Sequence, residues 1–89
     1  MEGKMETRDL LNERQKTHGD YTHHAEITQA LKRDMFDDIG WPKLDACQRE
    51  ALHMIAHKIG RILAGNPSFK DHWDDIAGYA KLVADRCPT

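Results

Sequence analysis

The chain has 89 residues, with 13 Lys and Arg against 15 Asp and Glu, and a formal net charge of −2. This length suits one small domain, and the charge gives no electrostatic basis for nonspecific binding to DNA or to an anionic membrane surface. Two cysteines are too few for a disulfide scaffold, and no apolar stretch approaches the roughly 18 residues of a membrane span or forms a signal peptide, so we expect a cytoplasmic protein.

The first two predicted helices meet at a glycine-containing turn. Apolar residues recur at helical spacing and no segment alternates as a strand would, which predicts an all-α fold with four helices. The first helix is expected over about residues 7–17, before Gly19, which can adopt the positive φ that stops a helix. The second is expected over residues 22–39, after Asp20 or Thr22 as N-cap and before a Trp-Pro pair.

The last two predicted helices carry apolar stripes for a shared core. The third is expected over residues 45–64, because Asp45 and Gln48 have the spacing of a capping box and a Gly-Asn-Pro segment follows. The fourth is expected over residues 70–86, with an apolar stripe of Trp73, Ile76, Ala77, Ala80, Val83 and Ala84. Short connections favour antiparallel neighbours in a compact four-helix domain. Because a core of this size is marginal on its own, we also expect a homo-oligomer.

Charged residues concentrate where the third and fourth helices are expected to meet. Lys58 and Arg61 on the third helix fall near Asp71 and Asp75 on the fourth if the two helices are antiparallel. One interpretation is a structural network of ion pairs that ties the helices together. The other is a binding site, in which the cations bind an anionic group and the acids orient them. The helical spacing leaves both interpretations open.

Two pairs of side chains have the spacing of metal ligands. Asp71 and Asp75, at positions i and i+4, could supply two oxygen ligands to Mg²⁺. His53 and His57 have the same spacing and could bind Zn²⁺ or Ni²⁺. No His-Glu-x-x-His motif surrounds these histidines, and paired histidines on a helix surface are more often solvated.

The segment between the first two helices combines a turn with polar and aromatic groups. His18, Gly19, Asp20 and Tyr21 place backbone N–H groups, a carboxylate and an aromatic face together, an arrangement that suits a base or a ribose. Helix capping also explains this segment, with Gly19 as C′ residue, Asp20 as N-cap and Tyr21 as staple residue. His24 and the histidine before it are expected to face solvent.

Three segments of the chain form a recognisable combination. They are the His-Gly-Asp-Tyr segment 18–21, the Lys-Ile-Gly-Arg-Ile segment 58–62 and the Asp-His-Trp-Asp-Asp-Ile-Ala-Gly-Tyr-Ala segment 71–80. Together they resemble a family of small phage and prophage domains of unknown function. That family is similar to the nucleotide-modification-associated domains and, more distantly, to the all-α MazG-like nucleoside triphosphate pyrophosphohydrolases. The resemblance implies an all-helical domain of the host bacterial cytoplasm that binds or acts on nucleotides.

The MazG-like resemblance implies a metal site that this chain carries only in part. MazG-like enzymes hold Mg²⁺ with a Glu-Glu-x-x-Glu motif on one helix and a Glu-x-x-Asp motif on the next. Glu50 and Asp75 fall on two of these positions and Asp71 lies nearby, whereas the remaining positions hold alanine, methionine and histidine. Phosphoanhydride hydrolysis needs metal ions to neutralise developing charge. The depleted acids therefore favour direct binding of phosphate by Lys58 and Arg61.

Three functional hypotheses follow. The first is a domain that binds a nucleotide or nucleotide-derived ligand, to sequester it or to serve nucleotide metabolism, through His18, Gly19, Asp20, Tyr21, Lys58, Arg61 and Tyr79. The second is a Mg²⁺-dependent nucleoside triphosphate pyrophosphohydrolase with Glu50, Asp71 and Asp75 as metal ligands. The third is a protein–protein inhibitor of a host defence enzyme, in which the charged cluster is purely structural.

Overall fold

The computed structural model of the chain describes residues 7–89, and this part is helical. Its elements are α1 (Thr7–His18), α2 (Tyr21–Asp37), a short 3₁₀ turn (Trp41–Lys43), α3 (Ala46–Ala64) and α4 (Lys70–Ala84). No strand occurs within residues 7–89, so the predicted all-α fold with four helices is confirmed. Residues 1–6, on which the expectation about a signal peptide depends, lie outside the described residues. None of the described helices is long and apolar enough to cross a membrane.

Local side-chain chemistry sets the starts of two helices. Asp20 caps α2, because its carboxylate accepts a hydrogen bond from the backbone N–H of His23 at 3.0 Å. Asp45 and Gln48 form the predicted capping box at α3, with reciprocal hydrogen bonds of 2.8 and 2.9 Å. Each bond satisfies a backbone N–H that has no partner inside the helix. These caps account for the helix boundaries at Tyr21 and Ala46.

The predicted second helix is two residues too long at its C-terminal end. The carboxylate of Asp38 accepts a hydrogen bond from the backbone N–H of Gly40 at 2.8 Å, which turns the chain before residue 39 can continue α2. The ring of Trp41 then lies 4.8 Å from the ring of Phe36, measured between centroids. This contact holds the 3₁₀ turn against the end of α2.

The turn between α1 and α2 packs directly against the turn between α3 and α4. Gly19 has the predicted positive φ, of 81°, and a Cβ at this position would overlap the backbone of Ala64. A Cβ at Gly65 would overlap the carbonyl oxygen of Thr17. The same carbonyl accepts a hydrogen bond from Nε2 of His72 at 3.0 Å. The two glycines therefore let the ends of α1 and α3 and the start of α4 meet at one point.

Few apolar side chains are fully buried. Among residues 7–89 they are Ala51, Ala56 and Ile62, all on α3, which contacts both α2 and α4. In contrast, α1 has no buried residue. The radius of gyration is 15.9 Å, compared with about 12 Å for a compact domain of this length. The chain is therefore more extended than the compact domain that its length predicts.

The predicted apolar stripe of α4 is buried along one edge only. Ile76 and Val83 are half-buried, whereas the other members of the stripe are exposed: Trp73, Ala77, Ala80 and Ala84. A helix that packs against one neighbour buries only one side of its circumference. The prediction that the whole stripe enters the core is therefore wrong for these four residues.

Candidate functional site

A cavity of about 240 Å³ opens where α1, the turn at Gly19, α2 and α3 meet. Five residues of the predicted ligand site line it: His18, Gly19, Asp20, Tyr21 and Arg61. Five further residues complete the lining: Leu11, Arg14, Gln15, His24 and His57. The close packing of the two turns places the segment 18–21 beside the second half of α3, so segments far apart in the chain share one site.

Two guanidinium groups line the cavity from different helices. Arg14 is on α1 and Arg61 is on α3, and neither forms an ion pair with a carboxylate among residues 7–89. Burial and the positive charge of Arg14 lower the pKa of Arg61, and the charge of Asp75 only partly opposes this change. Nε of Arg61 is buried without a hydrogen-bond partner in the described part of the chain. Two like charges placed in this way favour a bound anion.

Three imidazoles in the cavity wall are held in the neutral form. Burial lowers the pKa of His18 and of His57 to about 4, and the charge of Arg61 adds to the effect. The pKa of His24 is lowered for the same two reasons. The ring centroids of His24 and His57 are 4.6 Å apart. Because a neutral imidazole carries one donor and one acceptor nitrogen, these side chains add hydrogen-bonding groups and leave the positive charge to the two arginines.

The rim of the cavity combines a carboxylate with an open aromatic ring. Oδ2 of Asp20 is engaged as the N-cap of α2, and Oδ1 accepts a hydrogen bond from Nε2 of Gln15 at 3.4 Å. Tyr21 is 77% exposed, so it does not pack as a staple residue. The capping interpretation of this turn is confirmed for Gly19 and Asp20, and the same two residues also line the cavity.

Lys58 and Tyr79 lie outside the cavity lining. Lys58 is only 8% exposed, and its Nζ lies 2.7 Å from Oδ2 of Asp75 on α4. The hydrogen bond from Lys58 lowers the pKa of the Asp75 carboxyl. Tyr79 borders a separate groove together with Glu50. The structure thus matches the ion-pair interpretation for Lys58 and separates this residue from Arg61, which lines the cavity.

The acids predicted as Mg²⁺ ligands lie in different surroundings in the described part of the chain. Within residues 7–89, no group of three or more His, Cys, Asp or Glu side chains is arranged to hold a metal ion. Asp75 is paired with a lysine, Asp71 is exposed, and Glu50 faces a separate groove. His53 and His57 belong to no such group either. The three acids therefore do not converge as one set of ligands within residues 7–89.

Residues 5–86 match a family described as a domain of unknown function, DUF6378. The chain belongs to this family. The match spans the whole cavity lining of the DUF6378 domain, together with α2, α3 and α4. No curated protein and no solved structure matches the chain. The expected membership in a family of small domains of unknown function is thus confirmed.

Sequence reasoning does not assign three basic side chains to this cavity of the DUF6378 domain: Arg14, His24 and His57, the last of which it names only as a possible Zn²⁺ or Ni²⁺ ligand. The expectation that His24 faces solvent is wrong, because this residue is only 5% exposed. Each missed residue lies four positions from a predicted site residue on the same helix or at its cap, and such positions share a helix face. The predicted residues concerned are His18, Asp20 and Arg61. This i, i+4 spacing is the signal that could have identified the missing members of the site.

Proposed function

We propose that the chain binds a small phosphorylated ligand of the nucleotide type in the cavity between α1, α2 and α3. The observation that carries this proposal is the presence of Arg14 and Arg61 on one cavity without a carboxylate partner among the described residues. Arginine binds phosphate oxygens through charge-assisted and often bidentate hydrogen bonds. A phosphate between the two guanidinium groups would also relieve the repulsion that lowers the pKa of Arg61.

The remainder of the site suits the sugar and the base of a nucleotide. The cavity volume of about 240 Å³ is below the roughly 300–1,000 Å³ of pockets that enclose a whole ligand, so the phosphate end enters and the base stays at the rim. At the rim, the exposed ring of Tyr21 offers a surface on which a base can stack. Asp20 has carboxylate oxygens that can accept hydrogen bonds from ribose hydroxyls, and His57 has a donor nitrogen for the ligand.

The proposal is for binding without hydrolysis. Phosphoanhydride cleavage of the MazG-like type depends on metal ions, and the acids that would hold them do not converge within residues 7–89. Sequestration of a nucleotide, or a role in nucleotide metabolism, needs affinity alone. The proposal is compatible with the expected phage origin, the expected cytoplasmic location and a distant relationship to the MazG-like enzymes. It is also compatible with the expected antiparallel packing of the four helices.

Thermal unfolding of the folded chain in the presence of nucleotides tests the proposal. Nucleoside mono-, di- and triphosphates are expected to raise the melting temperature by mass action, and the matching nucleosides are not. In calorimetric titrations, Arg14→Ala and Arg61→Ala are each expected to weaken the affinity about 10- to 100-fold. Arg33→Ala is the matched control, because Arg33 is exposed on α2 and does not line the cavity.

Two outcomes would overturn the proposal in different ways. If no phosphorylated nucleotide shifts the melting temperature of the wild-type chain, the cavity does not serve this ligand class. If the chain releases pyrophosphate from a nucleoside triphosphate in the presence of Mg²⁺ or Mn²⁺, the protein is a hydrolase, and the conclusion that it binds without cleavage is wrong.

A further inference from the structure

Within residues 7–89, helices α3 and α4 each carry an apolar stripe that is at least partly exposed. On α3 the stripe is Leu52, Ile55, Ile59 and Leu63, of which Leu52 is 39% and Leu63 is 64% exposed, whereas the two isoleucines are half-buried. On α4 it is Trp73, Ala77, Ala80 and Ala84, all exposed, with Trp73 at 53%. Both stripes have the spacing i, i+3 or i+4, i+7, i+11, which places four residues along one side of a helix.

The two stripes lie on the same face of the molecule, opposite the cavity. Residues nine positions apart point to opposite sides of an α-helix, because nine steps of 100° make two and a half turns. On α3, Leu52 is therefore opposite Arg61, which lines the cavity. On α4, Ala84 is opposite Asp75, whose charge acts on Arg61. The sides of α3 and α4 that are turned away from the cavity are thus both apolar.

The charges beside the α4 stripe are arranged symmetrically about its centre. Lys70 and Asp74 form one exposed ion pair, and Lys81 and Asp85 form another, at N···O distances of 2.5 and 2.6 Å. Suppose that α4 packs against the α4 helix of a second copy in the antiparallel direction, with the two-fold axis between Ala77 and Gly78. Lys70 then faces Asp85 of the second copy, and Asp74 faces Lys81. Each positive charge meets a negative one, and none meets its like.

The same register also matches side-chain sizes. Trp73 falls at the height midway between Ala80 and Ala84 of the second copy, so the largest side chain of the stripe meets two of the smallest. Ala77 lies next to the axis, where a small side chain lets two helix backbones approach closely. A two-fold interface joins the same surface of both copies, so that surface must be complementary to itself in charge and in side-chain size. The α4 stripe and its flanking charges meet this requirement in the antiparallel register.

The chain also has surface available for such an interface. Three large apolar side chains of the two stripes are exposed among residues 7–89: Leu52, Leu63 and Trp73. We infer that the apolar face of α3 and α4 is a self-association surface, and that two copies pair through α4 in the antiparallel register described above. This inference does not depend on the proposed ligand.

Two charge-exchange variants of the full chain test this register. The first carries Lys70→Glu and Asp74→Lys, and the second carries Lys81→Glu and Asp85→Lys. Each variant keeps its own i, i+4 ion pair, so helix stability is preserved. In a homodimer of either variant, however, like charges face each other across the axis. In the heterodimer of the two variants, every facing pair is again of opposite charge.

Sedimentation equilibrium provides the measurement, with circular dichroism as the check on folding. The wild-type chain is expected to dimerise, each variant alone to dimerise at least about tenfold more weakly, and an equimolar mixture to recover the wild-type affinity. Ala80→Glu, in the middle of the stripe, is expected to give a folded monomer. A wild-type chain that stays monomeric at high concentration would overturn the inference. Variants that each dimerise like the wild type, or a mixture that does not recover, would overturn this register.

Discussion

Gly60 of α3 faces His24 of α2 so closely that a Cβ at position 60 would lie 2.5 Å from Cδ2 of the imidazole. The same Cβ would overlap the hydroxyl oxygen of Thr28, one turn further along α2. Both His24 and Thr28 are buried polar residues. The absence of a side chain at Gly60 is therefore what allows α2 and α3 to approach each other here, and this approach holds His24 in the wall of the cavity.

We expect Gly60→Ala to destabilise the domain by about 1–3 kcal/mol, because the added methyl group forces the two helices or the two side chains apart. Urea denaturation monitored by circular dichroism measures the change. Gly78→Ala is the matched control, because a Cβ at Gly78 would meet nothing within 4 Å. That substitution is expected to stabilise the chain by about 0.5–1 kcal/mol through helix propensity alone. Equal effects of the two substitutions would contradict the close approach at Gly60.

The ion pair between Lys58 and Asp75 leads to a prediction about stability. Asp75→Asn removes the carboxylate and leaves the buried ammonium group of Lys58 without its ionic partner, so the urea midpoint is expected to fall. Lys58→Met removes the charge and keeps a side chain of similar length, so it is expected to restore most of that loss when combined with Asp75→Asn. Glu13→Gln breaks the exposed pair with Lys16 and serves as the control, with a midpoint close to that of the wild type.

Ligand affinity separates this structural role from a role in the binding site. Lys58→Met is expected to leave nucleotide affinity unchanged, since Lys58 does not line the cavity, while Arg61→Ala abolishes most of it. A loss of affinity in the folded Lys58 variant equal to that of Arg61→Ala would show that the lysine contacts the ligand.

Those parts of the fold that depend on neighbours in the chain could be predicted from the sequence. The capping box of Asp45 and Gln48 needs only a spacing of three residues, and the positive φ of Gly19 needs only a glycine at a helix end. The burial of His24 could not be predicted, because it depends on a glycine of another helix. Lys58 and Arg61 are three residues apart on α3, and only the position of α4 decides that the first pairs with an acid while the second lines the cavity.

The exposed ring of Tyr21 gives a prediction about the base of the ligand. Tyr21→Ala is expected to weaken nucleotide affinity about 5- to 50-fold, because it removes the stacking surface at the rim. Tyr21→Phe keeps the aromatic face and is expected to retain the affinity. Since Tyr21 is 77% exposed, neither substitution should alter the melting temperature of the chain without ligand. Isothermal titration with a nucleoside monophosphate and with inorganic phosphate distinguishes the effects, because phosphate has no base and its affinity should not depend on Tyr21.

The neutral histidines of the cavity make stability depend on pH in a defined window. The pKa values of His18 and His57 are about 4 in the folded chain, below the ordinary value of 6.5. Between these values the unfolded chain binds more protons than the folded chain, so protonation favours unfolding. The stability contributed by the neutral imidazoles is complete above pH 6.5 and is lost as the pH falls toward 4.

We therefore expect the free energy of unfolding to be about 2 kcal/mol lower at pH 5.0 than at pH 7.5, after allowance for the partial exposure of both rings. Urea denaturation at a series of pH values measures the slope. His57→Gln is expected to reduce the slope, because one titrating group is removed from the cavity. His23→Gln, on the exposed side of α2, is the matched control and should retain the wild-type slope. A wild-type stability that stays constant from pH 7.5 to pH 5.0 would mean that the imidazoles are not held neutral by their burial beside Arg61.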